Sequence, residues 1–458
     1  MSRRIDLMLP LIIFTGKFIS FISRIFNLGS GGTWPGEMAI QFKPDILHDF
    51  FSQLKKGCIL VAGTNGKTTT TLMIKKILVK EGLRVLHNES GANLLNGVVS
   101  TFVQNSSWTG KIDADFGVFE IDENTLPFVI SFIKSEKFSL RSNDKKLIIV
   151  FLNLFRDQLD RYGEVDVIVE KWEKALATNG NSTMQIIANA DDPLICEIAR
   201  KASKNVTFFG LDDSSQFMKQ MEHATDSIFC PRCGTRLEYK GIYYSHIGNW
   251  SCPKCKNKRP KLDMATWDYP LSGLSNRYNT LAAVSTVKAL GITDEIIKKA
   301  FSDFSPAFGR QEEFVFNGKK IKIFLSKNPA GFNESLRTVI SMGAKEILFV
   351  LNDRIPDGRD ISWIWDVDFE MLPGYVMPVV SGDRAYDLAL RLKYAKPVYK
   401  LPKGAISAPQ TPILVYEDLK KALEFCLGSP NKDEILYILA TYSAMLEVRK
   451  ILKGRKIL

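Results

Sequence analysis

Short apolar runs punctuate the chain at Ile59–Ala62, Phe116–Ile121, Leu147–Leu152 and Gln185–Ala188. Runs this short, rich in β-branched and aromatic residues, predict buried strands. Between them, apolar positions recur every three or four residues, as over Thr69–Glu81 and Val165–Ala177, which predicts helices. Such alternation implies a mostly parallel sheet with helices on both faces. The rhythm breaks between Thr225 and Lys258 and then resumes. Near Phe308-Gly309-Arg310 the chain is expected to pass into a second α/β unit holding EILFVLN (Glu346–Asn352) and ILVYED (Ile413–Asp418). No internal repeat or low-complexity tract interrupts the pattern. The opening run LMLPLIIFTGKFISFISRIF (Leu7–Phe26) is broken by Lys17 and Arg24 and precedes the Gly-rich linker NLGSGGTWPGE. It lacks a small-residue cleavage site and is too interrupted for a good membrane span. An amphipathic helix docked on the body is the first expectation; a helix lying on the inner membrane face is the second.

At 458 residues the chain has room for two or three domains. The expected division is residues 1–50 for the helix and linker, 51–308 for a central domain with an insert at about 225–260, and 309–458 for a C-terminal α/β domain. A net charge of +11 suits acidic ligands such as phosphorylated substrates, nucleic acid or an anionic membrane. No run of five basic residues appears, so a nucleic-acid tail is not indicated. Four of the seven cysteines form two CxxC pairs, and Cys58, Cys196 and Cys426 are scattered in apolar or helical contexts. That usage points to a reducing compartment and a metal site rather than a disulfide framework.

The strongest chemical signal is ILVAGTNGKTTTT, an apolar strand, a glycine turn and the start of a helix. Backbone amides of such a turn converge on an anion. Gly63, Thr64, Asn65, Gly66 and Thr69 would form the cradle, Lys67 would contact the β- and γ-phosphates, and Thr68 would ligate Mg²⁺. The general phosphate-loop pattern asks for glycine at 61, where this chain has Val61. GVFEIDE ends a strand in acids, with Glu120 the first choice for holding the metal and Asp122 and Glu123 its neighbours. NLFRDQLDRYGE places Asp157, Asp160 and Arg161 at another strand's carboxyl end, where open α/β sheets bind ligands. Cys230, Cys233, Cys252 and Cys255 match the C-x₂-C…C-x₂-C spacing of a structural Zn²⁺ site. LNDRIPDGRDISWIWDVDFE, dense in acids and tryptophan after a strand, has the composition of an interaction or catalytic loop.

In order, GTNGKTT, EIDE, NLFRDQLDR, NADDP, GLSNRYNTLAA and FGRQE resemble the motifs of the Mur ligase family. In that family the loop reads G-T-N-G-K-T without the distant first glycine, which accounts for Val61. FLSKNPAGFN, the acidic loop and the four-cysteine insert are similar to the family's MurT-type subunits. The resemblance covers about residues 50–380 and implies a central ATP-binding domain with a zinc ribbon, then a Rossmann-like C-terminal domain. It also implies that no separate N-terminal substrate-nucleotide domain is present.

The implied reaction has two halves. ATP phosphorylates the α-carboxyl of D-glutamate in the lipid II stem peptide, and ammonia then displaces phosphate to give D-isoglutamine. The implied partner is a GatD-type glutamine amidotransferase supplying the ammonia, and the implied location is cytoplasmic. By motif, Lys67, Thr68 and Glu120 form the ATP–Mg²⁺ set, Asn276 contacts adenine, and Arg310 lies near the ribose or phosphates. Asp360 would complete the partner's catalytic triad in trans, with Asp357 as fallback.

The chain departs from the family at Gln158, where Mur ligases have histidine, at Ser275 in place of the G-x-H-N histidine, and at FLSKNP, which lacks the ribose-binding acid. Only Lys171 and Lys174 are near the place of the family's carbamylated lysine. MurT-type subunits share these departures. The competing expectations are a stand-alone Mur or folylpolyglutamate-type amino-acid ligase, and a basic zinc-ribbon protein binding nucleic acid.

Overall fold

The computed structural model describes residues 8–25, 33–88, 92–134, 145–157, 163–177, 184–305, 310–395, 412–428 and 434–454. Six parallel strands form the first sheet: β1 (Gly57–Ala62), β2 (Val85–His87), β3 (Phe116–Ile121), β4 (Lys146–Phe151), β5 (Met184–Asn189) and β6 (Val206–Phe209). They lie in the order β2-β3-β1-β4-β5-β6. Side chains of β1 alternate between two cores, as the two-residue period of a strand demands. Cys58, Leu60 and Ala62 join the face covered by the helices Ile46–Gln53 and Leu95–Asn105. Ile59 and Val61 join the face covered by Lys67–Lys80 and Leu274–Ala289. Val61 is therefore a core residue of the strand, and the phosphate loop begins after it. Truncating a fully buried neighbour such as Leu60 to alanine would cost about 2–5 kcal/mol.

After β1 the chain crosses to one side of the sheet for β2 and β3, then to the other for β4. The loop following β1 thus lies at the reversal point of a doubly wound sheet, where such sheets bind ligands. A two-stranded hairpin, β7 (Glu238–Tyr244) and β8 (Ile247–Ser251), forms the insert. It is fastened to the domain by Trp250, whose Nε1 donates to Ala190 O at 3.0 Å, and by the Arg232–Glu197 pair at 2.7 Å.

The second sheet contains β9 (Arg310–Phe316), β10 (Lys319–Leu325), β11 (Glu346–Val350), β12 (Met377–Ser381), β13 (Leu414–Val415) and β14 (Leu436–Ala440). Its order is β13-β12-β11-β14-β10-β9, parallel except for the edge strand β9. The segment after β10 reaches the loop that follows β1, where Asn328 bonds to Asn65, and a cleft lies between the two domains there.

The helix Met8–Ile25 packs on the helices Trp34–Phe42 and Leu95–Asn105. It buries Ile12, Ile13 and Ser20 and leaves Leu11, Phe14, Phe18 and Phe21 outward. The docked amphipathic helix is thus observed, and it carries an apolar stripe on its free side. No helix among the described residues is long and apolar enough to cross a membrane.

Candidate active site

Gly63 and Gly66 both adopt positive φ, +137° and +93°, which turns the loop back tightly enough to present its amides. A neighbouring strand end and a helix hold it in place. From the end of β4, Asn153 accepts Thr64 N–H through its carbonyl and Asn65 N–H through its side chain, each at 2.9 Å. Asn153 Nδ2 returns a bond to Asn65 O at 3.1 Å. On the opposite side Asn279 packs so closely on Gly66 that a Cβ there would fall 2.1 Å from its Oδ1.

Lys67 is buried and folded over the loop, donating to Gly63 O at 2.5 Å, Thr64 O at 3.1 Å and Glu123 Oε2 at 3.3 Å. Burial pushes the Glu123 carboxyl above its usual range, and the Lys67 ammonium partly opposes that shift. The lysine is held by contacts that a bound polyphosphate can replace. Glu120, at the end of β3 and paired in register with Val61, is buried, and its Oε2 has no hydrogen-bond partner among the described residues. Thr68 is half-buried at the helix start beside Lys67. An orphaned buried carboxylate oxygen and a hydroxyl at a phosphate loop fit the donor set for Mg²⁺. Thr69 lines the adjoining cleft with Asn65 and Gly66.

The other wall comes from the second sheet. Asn328 and Asn65 exchange side-chain amide bonds at 3.0 and 3.3 Å, and Lys327 is ion-paired with Asp157. Ser275 N–H donates to Glu334 Oε2 at 3.1 Å. Between these walls runs a cleft of about 800 Å³, counting its open mouth, lined by Asn276, Asn279, Lys327 and Glu334 among others. Asn276 donates to Ser272 O at 2.7 Å and accepts from Asn279 at 3.2 Å, so its orientation is fixed within the cleft. More distant ties join the domains: Arg156 bridges Asp226 and Asp366, Arg337 pairs with Glu222, and His223 with Asp368 at 2.5 Å.

The two aspartates of the acidic loop differ physically. Asp357 is buried, accepts from the backbone and hydroxyl of Ser443, and is pushed upward in pKa by that burial. Asp360 is exposed, with Oδ1 accepting from Ser362 N–H at 2.8 Å. Asp357 thus anchors the final helix, whereas Asp360 faces outward.

Cys230, Cys233, Cys252 and Cys255 converge with their ligand atoms within 4.8 Å of one another. Each CxxC closes a knuckle, with Gly234 N–H donating to Cys230 O at 2.9 Å and Lys256 N–H to Cys252 O at 3.2 Å. Four converging thiols leave no open position, so a metal held there would be structural.

Two expected candidates, Lys171 and Lys174, have partners outside the loop and cleft. Lys171 donates to Asn124 at 2.8 Å, and Lys174 is an exposed partner of Glu170. The Arg310 backbone belongs to β9, but its side chain lies outside the described residues, as do Asp160 and Arg161. No motif assigned a role to Asn153, Asn279, Asn328, Lys327 or Glu334. A signal existed for two of them: Asn153 directly follows a strand, and Asn328 precedes Pro329 as a helix cap.

A phosphate loop at the reversal point of one α/β domain, closed over by a second, defines a Mur-type ligase. Residues 61–287 match the Mur ligase middle domain and residues 325–445 match the MurT ligase C-terminal domain. The chain is 33% identical over 416 residues to the MurT subunit of lipid II isoglutaminyl synthase (glutamine-hydrolyzing) of Staphylococcus aureus strain COL, covering 86% of this chain and 87% of that one. It is 32% identical over 473 aligned positions to the subunit of that name from Streptococcus pneumoniae strain R6, covering 97% of each. The chain belongs to the Mur ligase family, in its MurT branch. Solved structures share the fold at lower identity. A pseudomurein peptide ligase type C from Methanothermus fervidus has TM-score 0.62 at 20% identity, over 88% of this chain and 79% of that one. MurF from Acinetobacter baumannii has TM-score 0.58 at 15% identity, over 93% and 79%.

Proposed function

We propose that this chain is the synthetase subunit of a lipid II isoglutaminyl synthase, amidating the α-carboxyl of D-glutamate in the lipid II stem peptide during peptidoglycan biosynthesis. The observation that carries the proposal is the pairing of a complete phosphate loop, with Lys67 and the unpartnered Glu120 oxygen, with an exposed Asp360 on a MurT-type second domain. A free carboxylate is a poor acyl donor, and an acyl phosphate carries a good leaving group. Loop amides and Lys67 would hold the triphosphate of ATP and stabilise charge as the γ-phosphoryl passes to the substrate carboxylate. Glu120 and Thr68 would hold Mg²⁺, which supplies further charge neutralisation when bound. Asn276 and Arg310 are assigned to the nucleotide.

Ammonia would come from a GatD-type glutamine amidotransferase, whose histidine Asp360 would orient. The four cysteines would hold a structural Zn²⁺ that fixes the ribbon. The domain division expected from the sequence is proposed to stand, with the phosphate-loop and acidic-loop halves as separate folding units. A cytoplasmic location at the inner face of the plasma membrane suits a lipid-borne substrate, and the outward Leu11, Phe14, Phe18 and Phe21 stripe supports it.

The test is Lys67→Ala in the complex with the amidotransferase. ATP-driven amidation should be lost while glutamine hydrolysis continues; amidation at the wild-type rate would refute the assignment. ATP turnover stimulated by an amino acid without any partner would favour an amino-acid ligase instead.

A further inference from the structure

We propose that a cavity between the two domains is an ammonia subsite, and that Asp157 holds ammonia there as it attacks the acyl phosphate. The inference rests on the function proposed above and adds the residue that handles the nucleophile. The cavity has a volume of about 60 Å³, more than the 10–15 Å³ or so that a water-sized molecule requires. Its outer wall includes the exposed Asp360 and Ser362, and its inner wall Arg156, Asp157 and Lys327. Past Asp157 lies a smaller space of about 20 Å³ bounded by Thr64 and Glu123 of the phosphate-loop region. Asp157 therefore borders both the outward-reaching cavity and the wall of the phosphate loop.

The Asp157 side chain is 4% exposed. Its Oδ2 is paired with Lys327, while Oδ1 has no hydrogen-bond partner among the described residues. Leaving a buried acceptor without a donor costs about 1–3 kcal/mol, so the oxygen is explained best by a ligand that donates to it. An ionised carboxylate only accepts, and ammonia offers three N–H donors and a lone pair. Lys327 compensates the Asp157 charge and Arg156 that of Asp366, so Oδ1 can accept an N–H bond from a neutral donor. The lone pair stays available.

As the nitrogen lone pair attacks the acyl carbon, the C–N bond forms and the nitrogen becomes positively charged. Asp157 Oδ1 accepts an N–H bond and takes one proton. The C–O bond to phosphorus-bound oxygen breaks, phosphate leaves with the electron pair, and the proton passes from Asp157 to phosphate. Acyl phosphate and ammonia thereby give amide and hydrogen phosphate. A buried carboxylate already fixed by its lysine partner stabilises the developing positive charge without reorganising.

Asp157→Asn keeps the shape and removes the proton acceptor. In the complex with the amidotransferase, with ammonium chloride as nitrogen donor, amidation should fall by about 10²-fold or more. Lipid II-dependent positional isotope exchange in γ-¹⁸O-labelled ATP, which reports acyl phosphate formation, should stay at the wild-type level. Unchanged amidation would overturn the proposal, as would loss of isotope exchange together with amidation in a folded variant. If Asp157→Asn does not fold, Ser362→Trp at the exposed mouth should lower glutamine-driven amidation and spare isotope exchange; unaltered glutamine-driven amidation would then overturn it. Absence of lipid II-dependent exchange in the wild-type complex would instead bring down the proposed function itself.

Discussion

Gly66→Ala tests whether the loop is tensioned against Asn279. Gly66 has φ +93°, and Gly82, at the far end of the same helix, has φ +85°. Alanine at either position meets the left-handed penalty of about 1–2 kcal/mol. At Gly82 nothing lies within 4 Å of the added Cβ, whereas at Gly66 it falls 2.1 Å from Asn279 Oδ1. Asn279 must then give up its bonds with Asn276 at 3.2 Å and Thr70 at 3.4 Å. Stranding that buried amide adds about 1–3 kcal/mol. Because this excess acts on the loop amides, ATP affinity should fall roughly tenfold for each 1.4 kcal/mol of it. Thermal denaturation and calorimetric titration with ATP of both variants separate the two terms. Both should lower Tm, and Gly66→Ala alone should weaken ATP binding. Equal ATP affinity in the two variants would refute the coupling of Asn279 to the loop.

Asp360→Asn should slow glutamine hydrolysis by the complex with little change in Tm, and normal ammonia release would contradict the in-trans role. Asp357→Asn should do the reverse, lowering Tm by weakening the Ser443 anchor at a cost of about 1–2 kcal/mol, with glutamine hydrolysis retained. Metal analysis should find one Zn²⁺ per chain, lost in Cys252→Ser together with the buried Trp250 fluorescence; full zinc content in that variant would refute the four-thiolate site. Asp368 raises the His223 pKa through a hydrogen bond and its charge. The folded value exceeds the unfolded one, so the pair's contribution is complete below about pH 6.5 and is lost as pH rises through the folded value. His223→Gln should flatten the slope of Tm against pH between those limits, and an unchanged slope would show that this pair contributes nothing.

β1, β3, β4, β5 and β11 were legible because buried parallel strands are continuous apolar runs, whereas short or half-exposed strands such as β2, β6 and β9 gave no such run. The polar ends of β4 and β5 were not legible: Lys146 and Asn189 belong to them through backbone pairing, which apolar patterning does not register. The phosphate loop was legible because its glycines and lysine are contiguous. Its supports were hidden because they are assembled by folding, with Asn153 and Asn328 reaching Asn65 from 88 and 263 residues away. The acids of the 353–370 loop read alike in sequence, and burial alone separates Asp357 from Asp360. FLSKNP read only as the loss of a ribose-binding acid, and the structure gives its Lys327 a carboxylate partner in the other domain.

The most direct test of the central claim is mass spectrometry of lipid II incubated with this chain, its amidotransferase partner, ATP and glutamine. The stem peptide should show the mass change of replacing a hydroxyl by an amino group, with the new nitrogen traced to ¹⁵N-amide glutamine. Unaltered lipid II with ATP consumed, or gain of a whole amino-acid mass, would contradict it.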